Sequence, residues 1–363
     1  TEEARQRASA DLARAAESKQ REQAEANEKT AKSEARKSEQ AFHFMGRMLR
    51  GVGPSVAAGR DTTLLREILE RTQTRLEKVR QDQPEIDASI RLALAGVYTD
   101  LGDYTKVETL ATEARAGSEK IYGHVHANVA EAQVALVTVR MVQMRFGDAE
   151  SLARDSLSIL RSVANEKKET LAVCEFLLGT VLVVQGKLAE AERVIRASIV
   201  TADEGHDEAR YLQVDARDLL ARMLQKQGRF AEAEELVRGA LVAQRKQAGP
   251  EDPSVAGLLI AHSQLLLAQG KLTEAEATGQ EALAAVRTAR SSEEFSRPRQ
   301  LADLQLVRAE IAEKRGSLPE AEALARDALA ELKKIYGEGQ PSPALDATLR
   351  RLARILDQQQ KTA

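Results

Sequence analysis

No tryptophan occurs in the 363 residues, aromatic side chains make up 3% of them, and there is one cysteine. So few rings argue against an aromatic-lined pocket and against a base-stacking RNA surface. A lone cysteine cannot close an internal disulfide, so nothing in the chain depends on an oxidising compartment. Charge of one sign is also missing: 53 Lys and Arg against 56 Asp and Glu leave −3, with no basic footprint for nucleic acid. No run of about 18 apolar residues is present, so no stretch reads as a membrane span. Prolines number 8 and glycines 21. Against that scarcity of breakers stand abundant Ala, Leu, Glu, Arg and Gln, a composition that reads as nearly all helix. The opening TEEARQRASA has neither an initiator Met nor a signal-peptide pattern, so the chain reads as a piece of a longer protein.

Residues 1–40 hold nine Lys/Arg, nine Asp/Glu and ten alanines, with Leu12 as the sole large aliphatic side chain. Such a segment forms helix by propensity and by ion pairs four residues apart, as Glu25 with Lys29. It has little to bury, so it reads as a polar helical linker with at most weak self-association as a coiled coil. Residues 41–84 read as a two-helix cap. The first helix sets Phe42, Met45, Met48 and Leu49 on one face. The second, over 62–79, turns Leu65, Ile68, Leu69, Leu76 and Val79 inward.

From residue 85 the chain repeats a helix, a tight turn and a second helix. The turn falls at Gly102, Met144, Gly186, Gly228, Gly270 and Gly316, with spacings of 42, 42, 42, 42 and 46 residues. Two residues further on, an apolar side chain (Tyr104, Phe146, Leu188, Phe230, Leu272, Leu318) is placed to plug the junction. Small residues recur on the second helix, as Ala191 and Ser198, Ala233 and Ala240, Ala275 and Ala282, Ala321 and Ala328. Others stand seven residues before the turn, at Ala95, Gly179, Ala221, Ser263 and Ala309. Small side chains at such positions let helices approach closely. A single unit cannot bury its apolar face, so the units must stack. Residues 342–363 read as a final capping helix, with Ser342 as N-cap, Pro343 in the first turn, and Leu345, Leu349, Leu352 and Leu356 on one side.

This pattern resembles the tetratricopeptide repeat in its 42-residue, kinesin-light-chain-like form. Linkers of that form survive as YGHVHANVAEA from Tyr122, AGPEDPSVAGL from Ala248 and YGEGQPSPALDATL from Tyr336. Asp252 and Gln340 stand where the second and third linkers would carry histidine. The resemblance implies an all-α, right-handed superhelical solenoid of six helix pairs over 85–341. Residues 1–104, with GRDTTLLREILERTQTRLEKV and DQPEIDASIRLALAGVYTDLGDY, are in turn similar to the C-terminal halves of bacterial membrane-associated serine/threonine kinases. That likeness implies a regulatory or sensory region attached to a membrane by an upstream segment; the alternatives are a stand-alone cytoplasmic adaptor and a structural oligomerisation array. The chain itself has no Gly-rich loop with its lysine, no H-R-D and no D-F-G, so it carries no phosphotransfer machinery.

Candidate chemistry is sparse. His124 and His126 offer half of a zinc site with no cysteine partner, and the linker pattern accounts for His126 without metal. Cys174 falls inside a first helix and reads as a buried, inert thiol. The many acidic residues read as solvated helix faces. No catalytic residue, metal or cofactor is assigned. What remains is a concave surface lined by first helices, expected to take a protein or peptide partner. Projected onto the period, it comprises Leu92, Thr99, Val134, Met141, Phe176, Thr180, Val183 and Val184 in the first three units. The fourth adds Asp218, Arg222 and Lys226, the fifth Ile260, Gln264 and Leu267, and the sixth Leu306, Glu310 and Glu313. The face is thus expected to be apolar toward its N-terminal half and charged further along. Arg222 and Lys226 are the only cations there for a clamp on a C-terminal carboxylate.

Overall fold

The computed structural model describes residues 66–71, 84–163, 167–204, 210–288, 296–337 and 342–362. The expectations for residues 1–65 and 72–83, including the polar N-terminal helix and most of the cap, and the one for Gln340 lie outside the described residues. These divide into two compact units, the first ending at His124 and the second beginning at Val125. All regular structure among the described residues is helical.

In the first unit, residues 66–71 are helical, with Leu69 buried. Ile68, expected to face inward beside it, is instead 46% exposed. Helices α1 (Pro84–Asp100) and α2 (Tyr104–Tyr122) form an antiparallel pair. Arg91 lies buried between Asp87 of its own helix and Glu113 of α2. Arg66 reaches Asp103, the residue that caps α2 by accepting from the Lys106 amide.

The second unit is built from α3 (Ala127–Val142), α4 (Phe146–Ser162), α5 (Lys168–Val184), α6 (Leu188–Glu204), α7 (Arg210–Lys226) and α8 (Phe230–Ala248), continuing through α9 (Pro253–Ala268), α10 (Leu272–Thr288), α11 (Ser296–Lys314), α12 (Leu318–Tyr336) and α13 (Pro343–Thr362). Odd-numbered helices from α3 to α11 are first helices and pair with the even-numbered helix that follows; each second helix from α4 to α12 also packs on the next odd-numbered helix.

The turn inside each helix pair closes in the same way. The turn residue donates its N–H three residues back, as Gly186 to Val183, and the next residue donates five back, as Lys187 to Leu182. That double closure requires a left-handed turn residue, and Gly102, Gly186, Gly228, Gly270 and Gly316 have φ between 71° and 79°. Met144 takes the same place with φ 58°, the only positive φ at a non-glycine among the described residues. The period therefore located this turn where composition alone would have missed it.

The small residues meet at the crossing of each pair. Ala191, Ser198, Ala233, Ala240, Ala275, Ala282, Ala321 and Ala328 are all fully buried. The positions seven residues before each turn and nine after it are both buried in every pair. These pairs are Ala95 with Ala111, Val137 with Ala153, Gly179 with Ile195, Ala221 with Val237, Ser263 with Gly279, and Ala309 with Ala325. Contact at the crossing is direct: a Cβ on Gly179 would stand 2.4 Å from Ile195 Cγ1, and one on Gly279 3.5 Å from Ser263 Oγ. Volume is thus traded across the crossing, as close packing demands. The expected plugs are half-buried except Leu188, which is 40% exposed.

Ion pairs between successive units follow the same period. Lys187 holds Glu150 at 2.7 Å, Arg229 holds Glu192 at 2.7 Å, and Lys271 holds Glu234 at 2.9 Å. In the last unit, where the residue after the turn is Ser317, Arg315 holds Glu276 at 2.6 Å instead. The linkers end as helix caps: His126 Nδ1 accepts from the Asn128 amide at 3.2 Å, and Asp252 Oδ1 from the Ser254 amide at 2.9 Å. An unprotonated ring nitrogen and a carboxylate oxygen do the same work there.

Candidate functional site

Within the second unit, first helices touch the first helix of the next unit at α3 with α5, α5 with α7, and α9 with α11. Second helices make no comparable contact with one another. First helices therefore form the inner row, and the outward side chains of α3, α5 and α7 line one continuous face.

The expected residues fall into three groups on this face. Met141, Phe176, Thr180 and Val183 are half-buried, and Val184 is 55% exposed. Phe176 and Val173 both pack against a buried cluster of Ala172, Ala202 and Leu212, the last on α7. Thr180 Oγ1 donates to the Phe176 carbonyl at 2.9 Å, so its methyl is left for the face. A second group has sunk into the core: Val134, Ile260 and Leu267 are 7%, 5% and 3% exposed. Short branched side chains at these sites fit between neighbouring helices and leave little surface for a partner. Gln264 stays half-buried. Leu92 and Thr99 belong to α1 of the first unit, where both are half-buried and Thr99 donates to the Ala95 carbonyl.

The third group is charged and largely satisfied within the chain. Arg222 bonds Asp218, so of the two candidate clamp cations only the exposed Lys226 stands apart from a carboxylate. In the sixth unit Arg351 of α13 bonds Glu310 and Glu313 at 2.7 Å each and donates to the Leu306 carbonyl. Arg354 adds a 3.0 Å bond to Glu313. The far end of the expected face is thus covered by the last helix, which buries Leu345 and Ile355 against the preceding pair.

Three residues missing from the projection belong to this face: Val142, 49% exposed, Val173, half-buried, and Asp215, exposed. The projection carried a signal for Val142 alone, which precedes Val184 by one 42-residue period; Val173 and Asp215 share their repeat position with Gly257, and none of the three was projected. Asp215 stands open to solvent yet with protein crowded around it. That crowding raises its carboxyl above the usual range, and the Asp218 charge adds to the effect. Asp218 is raised as well, by burial, against the pull of Arg222.

His124 and His126 are not placed for metal. His126 caps α3, His124 is exposed beside Glu119 at 3.6 Å, and no group of three or more metal-binding side chains exists among the described residues. Cys174 is fully buried, donates to the Ala153 carbonyl at 3.3 Å, and has its thiol pushed up to about 12 by burial. The reading of all acidic residues as solvated faces needs correction at Glu175, which is 3% exposed between Arg161 and Thr201. Burial raises its carboxyl, and its two partners offset that in part. No helix among the described residues is long and apolar enough to cross a membrane.

A family model for the MalT-like TPR region matches residues 126–336. The chain belongs to this family. Among solved structures, the TPR region is similar to BtubC (BKLC) from P. vanneervenii, with 18% identity, 66% of this chain and 94% of that one covered, and a TM-score of 0.52. It is also similar to a Rap protein complexed with competence and sporulation factor, with 13% identity, 90% and 87% covered, and a TM-score of 0.54. At these identities the likeness is one of fold. No curated protein matches the sequence. The solenoid of TPR helix pairs expected from the repeat pattern is the fold observed, a fold typical of protein–protein interaction scaffolds.

Proposed function

We propose that the TPR region binds a peptide or helix of another protein on the face formed by α3, α5 and the start of α7. One observation carries this reading: Val142 and Val184 occupy equivalent positions on successive first helices and remain 49% and 55% exposed. They continue a half-buried apolar surface made by Met141, Val173, Phe176 and Val183. The core takes up these side chains only in part, and contiguous apolar surface left exposed on such a face suits docking of an apolar segment. The Rap protein of the same fold is complexed with competence and sporulation factor, which supports a binding role for this fold.

Phe176 packs partly into the core, so its substitution also costs stability; Val184 is the cleaner probe. In selection from a display library of random peptides, Val184→Glu should abolish the enrichment seen with the wild-type chain, while Val242→Glu on α8, at a 70% exposed position, should retain it. Equal enrichment by both variants would refute the proposal. The finer assignment is the regulatory or sensory region of a membrane-associated serine/threonine kinase, supported by the resemblance over residues 1–104. A parent reading frame without a kinase domain upstream would remove it and leave a stand-alone adaptor.

A further inference from the structure

The proposed partner face carries a carboxylate that no described residue neutralises. On the row of first-helix positions thirteen residues before each turn stand Glu131, Val173, Asp215, Gly257 and Asp303. Glu131 accepts from Lys167 at 2.8 Å, and Asp303 from Arg299 at 3.0 Å. Asp215 has no such cation among the described residues. The one guanidinium beside it, Arg222, bonds Asp218, so the three groups together keep a net charge of −1. Lys226 is eleven residues along α7, about 16 Å at 1.5 Å per residue, and does not close this gap. On α5, which touches α7, the residues one period before Asp215 and Asp218 are Val173 and Phe176. The acidic pair therefore borders the apolar patch directly.

Resting on the binding role proposed above, we infer that the occupant is a peptide segment whose apolar side chains cover Val142, Phe176 and Val184 and whose lysine or arginine side chain reaches Asp215. A partner that covered Asp215 without supplying a cation would strip water from a charge and return nothing, which costs affinity. An acidic partner would meet like charge as well. The same carboxylate therefore selects for basic peptides and against acidic ones.

The test uses random twelve-residue peptides on display, selected separately by the wild-type chain, Asp215→Lys and Val184→Glu. Wild-type selection should enrich peptides with Lys or Arg at a fixed spacing from apolar residues. Asp215→Lys should replace that basic position with Asp or Glu. A synthesised wild-type winner should bind Asp215→Asn about two- to fivefold more weakly, the loss of one partly exposed ion pair. Asp215 makes no bond within the chain that folding needs, so the circular dichroism and thermal midpoint of both Asp215 variants should match wild type. If winners lose binding to Val184→Glu yet bind Asp215→Asn and Asp215→Lys as well as wild type, the cationic requirement is wrong and the docking face stands. If Val184→Glu selects and binds the same peptides, or wild type enriches none, the docking face is wrong and this inference falls with it.

Discussion

Replacing Gly179 by alanine should destabilise the protein, although alanine is the better helix former by about 1 kcal/mol. Gly179 lies mid-helix in α5, and a Cβ there would stand 2.4 Å from Cγ1 of the fully buried Ile195. Ile195 is branched at Cβ and packed on all sides, so it cannot swing aside without leaving its rotamer. Overpacking of this kind costs about 1–3 kcal/mol. With a contact this short, the cost should sit near the upper end, leaving a net loss of about 2 kcal/mol. Ile195→Ala alone should cost about 3 kcal/mol through the cavity it opens. The double variant, however, recreates the alanine pair already present as Ala95 with Ala111 and Ala309 with Ala325. With the clash gone and the helix gain kept, it should lose about 3 kcal/mol less than the sum of the single changes. Urea titration followed by helical circular dichroism measures all three, with thiol labelling of Cys174 on the same helix as a local report. Losses that add to within about 0.5 kcal/mol would refute the account of volume traded across the crossing.

Other outcomes follow from particular residues. Met144→Gly should raise stability by about 0.5–1 kcal/mol, since relief of the left-handed backbone outweighs glycine's entropy cost; an unchanged or lower thermal midpoint would contradict it. Hydrogen bonds from Lys187 and then Arg154 lower the Glu150 carboxyl from 4.5 to about 2. Its folded value is depressed, so its contribution is complete above pH 4.5 and is lost as pH falls toward 2. Both cations are more than 40% exposed, so solvent screening limits the effect to about 1 kcal/mol. Midpoints of Glu150→Gln and wild type should differ at pH 7 and converge near pH 2. Cys174, buried with its thiol raised to about 12, should react with a disulfide reagent at pH 8 only at the rate at which α5 opens. Rapid labelling of the native chain would show that helix to be loosely packed.

Much of the fold was readable because a helix pair imposes local demands at fixed spacing. The turn needs a left-handed residue, the crossing needs a small one, and the linker needs an acceptor, so Gly186, Ser198 and Asp252 could be placed from their neighbours in sequence. Met144 shows the strength of the period, since position alone identified a turn that residue type concealed. The face was read less well for a physical reason. A period fixes the side of a helix on which a residue stands, whereas its exposure depends on the bulk of side chains about forty residues away. Val134 and Ile260 share a repeat position with Phe176, yet the two shorter side chains are covered and the ring is not. The pairing of Arg351 with Glu310 and Glu313 had no local signature, because α13 has its own arginines rather than a copy of the repeat. The burial of Glu175 likewise depends on Arg161 and Thr201, which belong to the helices on either side.

The central claim is that partners dock on the first helices of the second unit and not on the second helices. Photo-cross-linking tests this most directly, with a benzophenone amino acid placed at Val184 in one protein and at Val242 in another. Both sites are well exposed, at 55% and 70%, so accessibility does not favour the site expected to react. With a peptide selected by the wild-type chain, the adduct should form from position 184 and be competed away by unlabelled peptide, while position 242 gives none. A competed adduct at 242 with none at 184 would contradict the account.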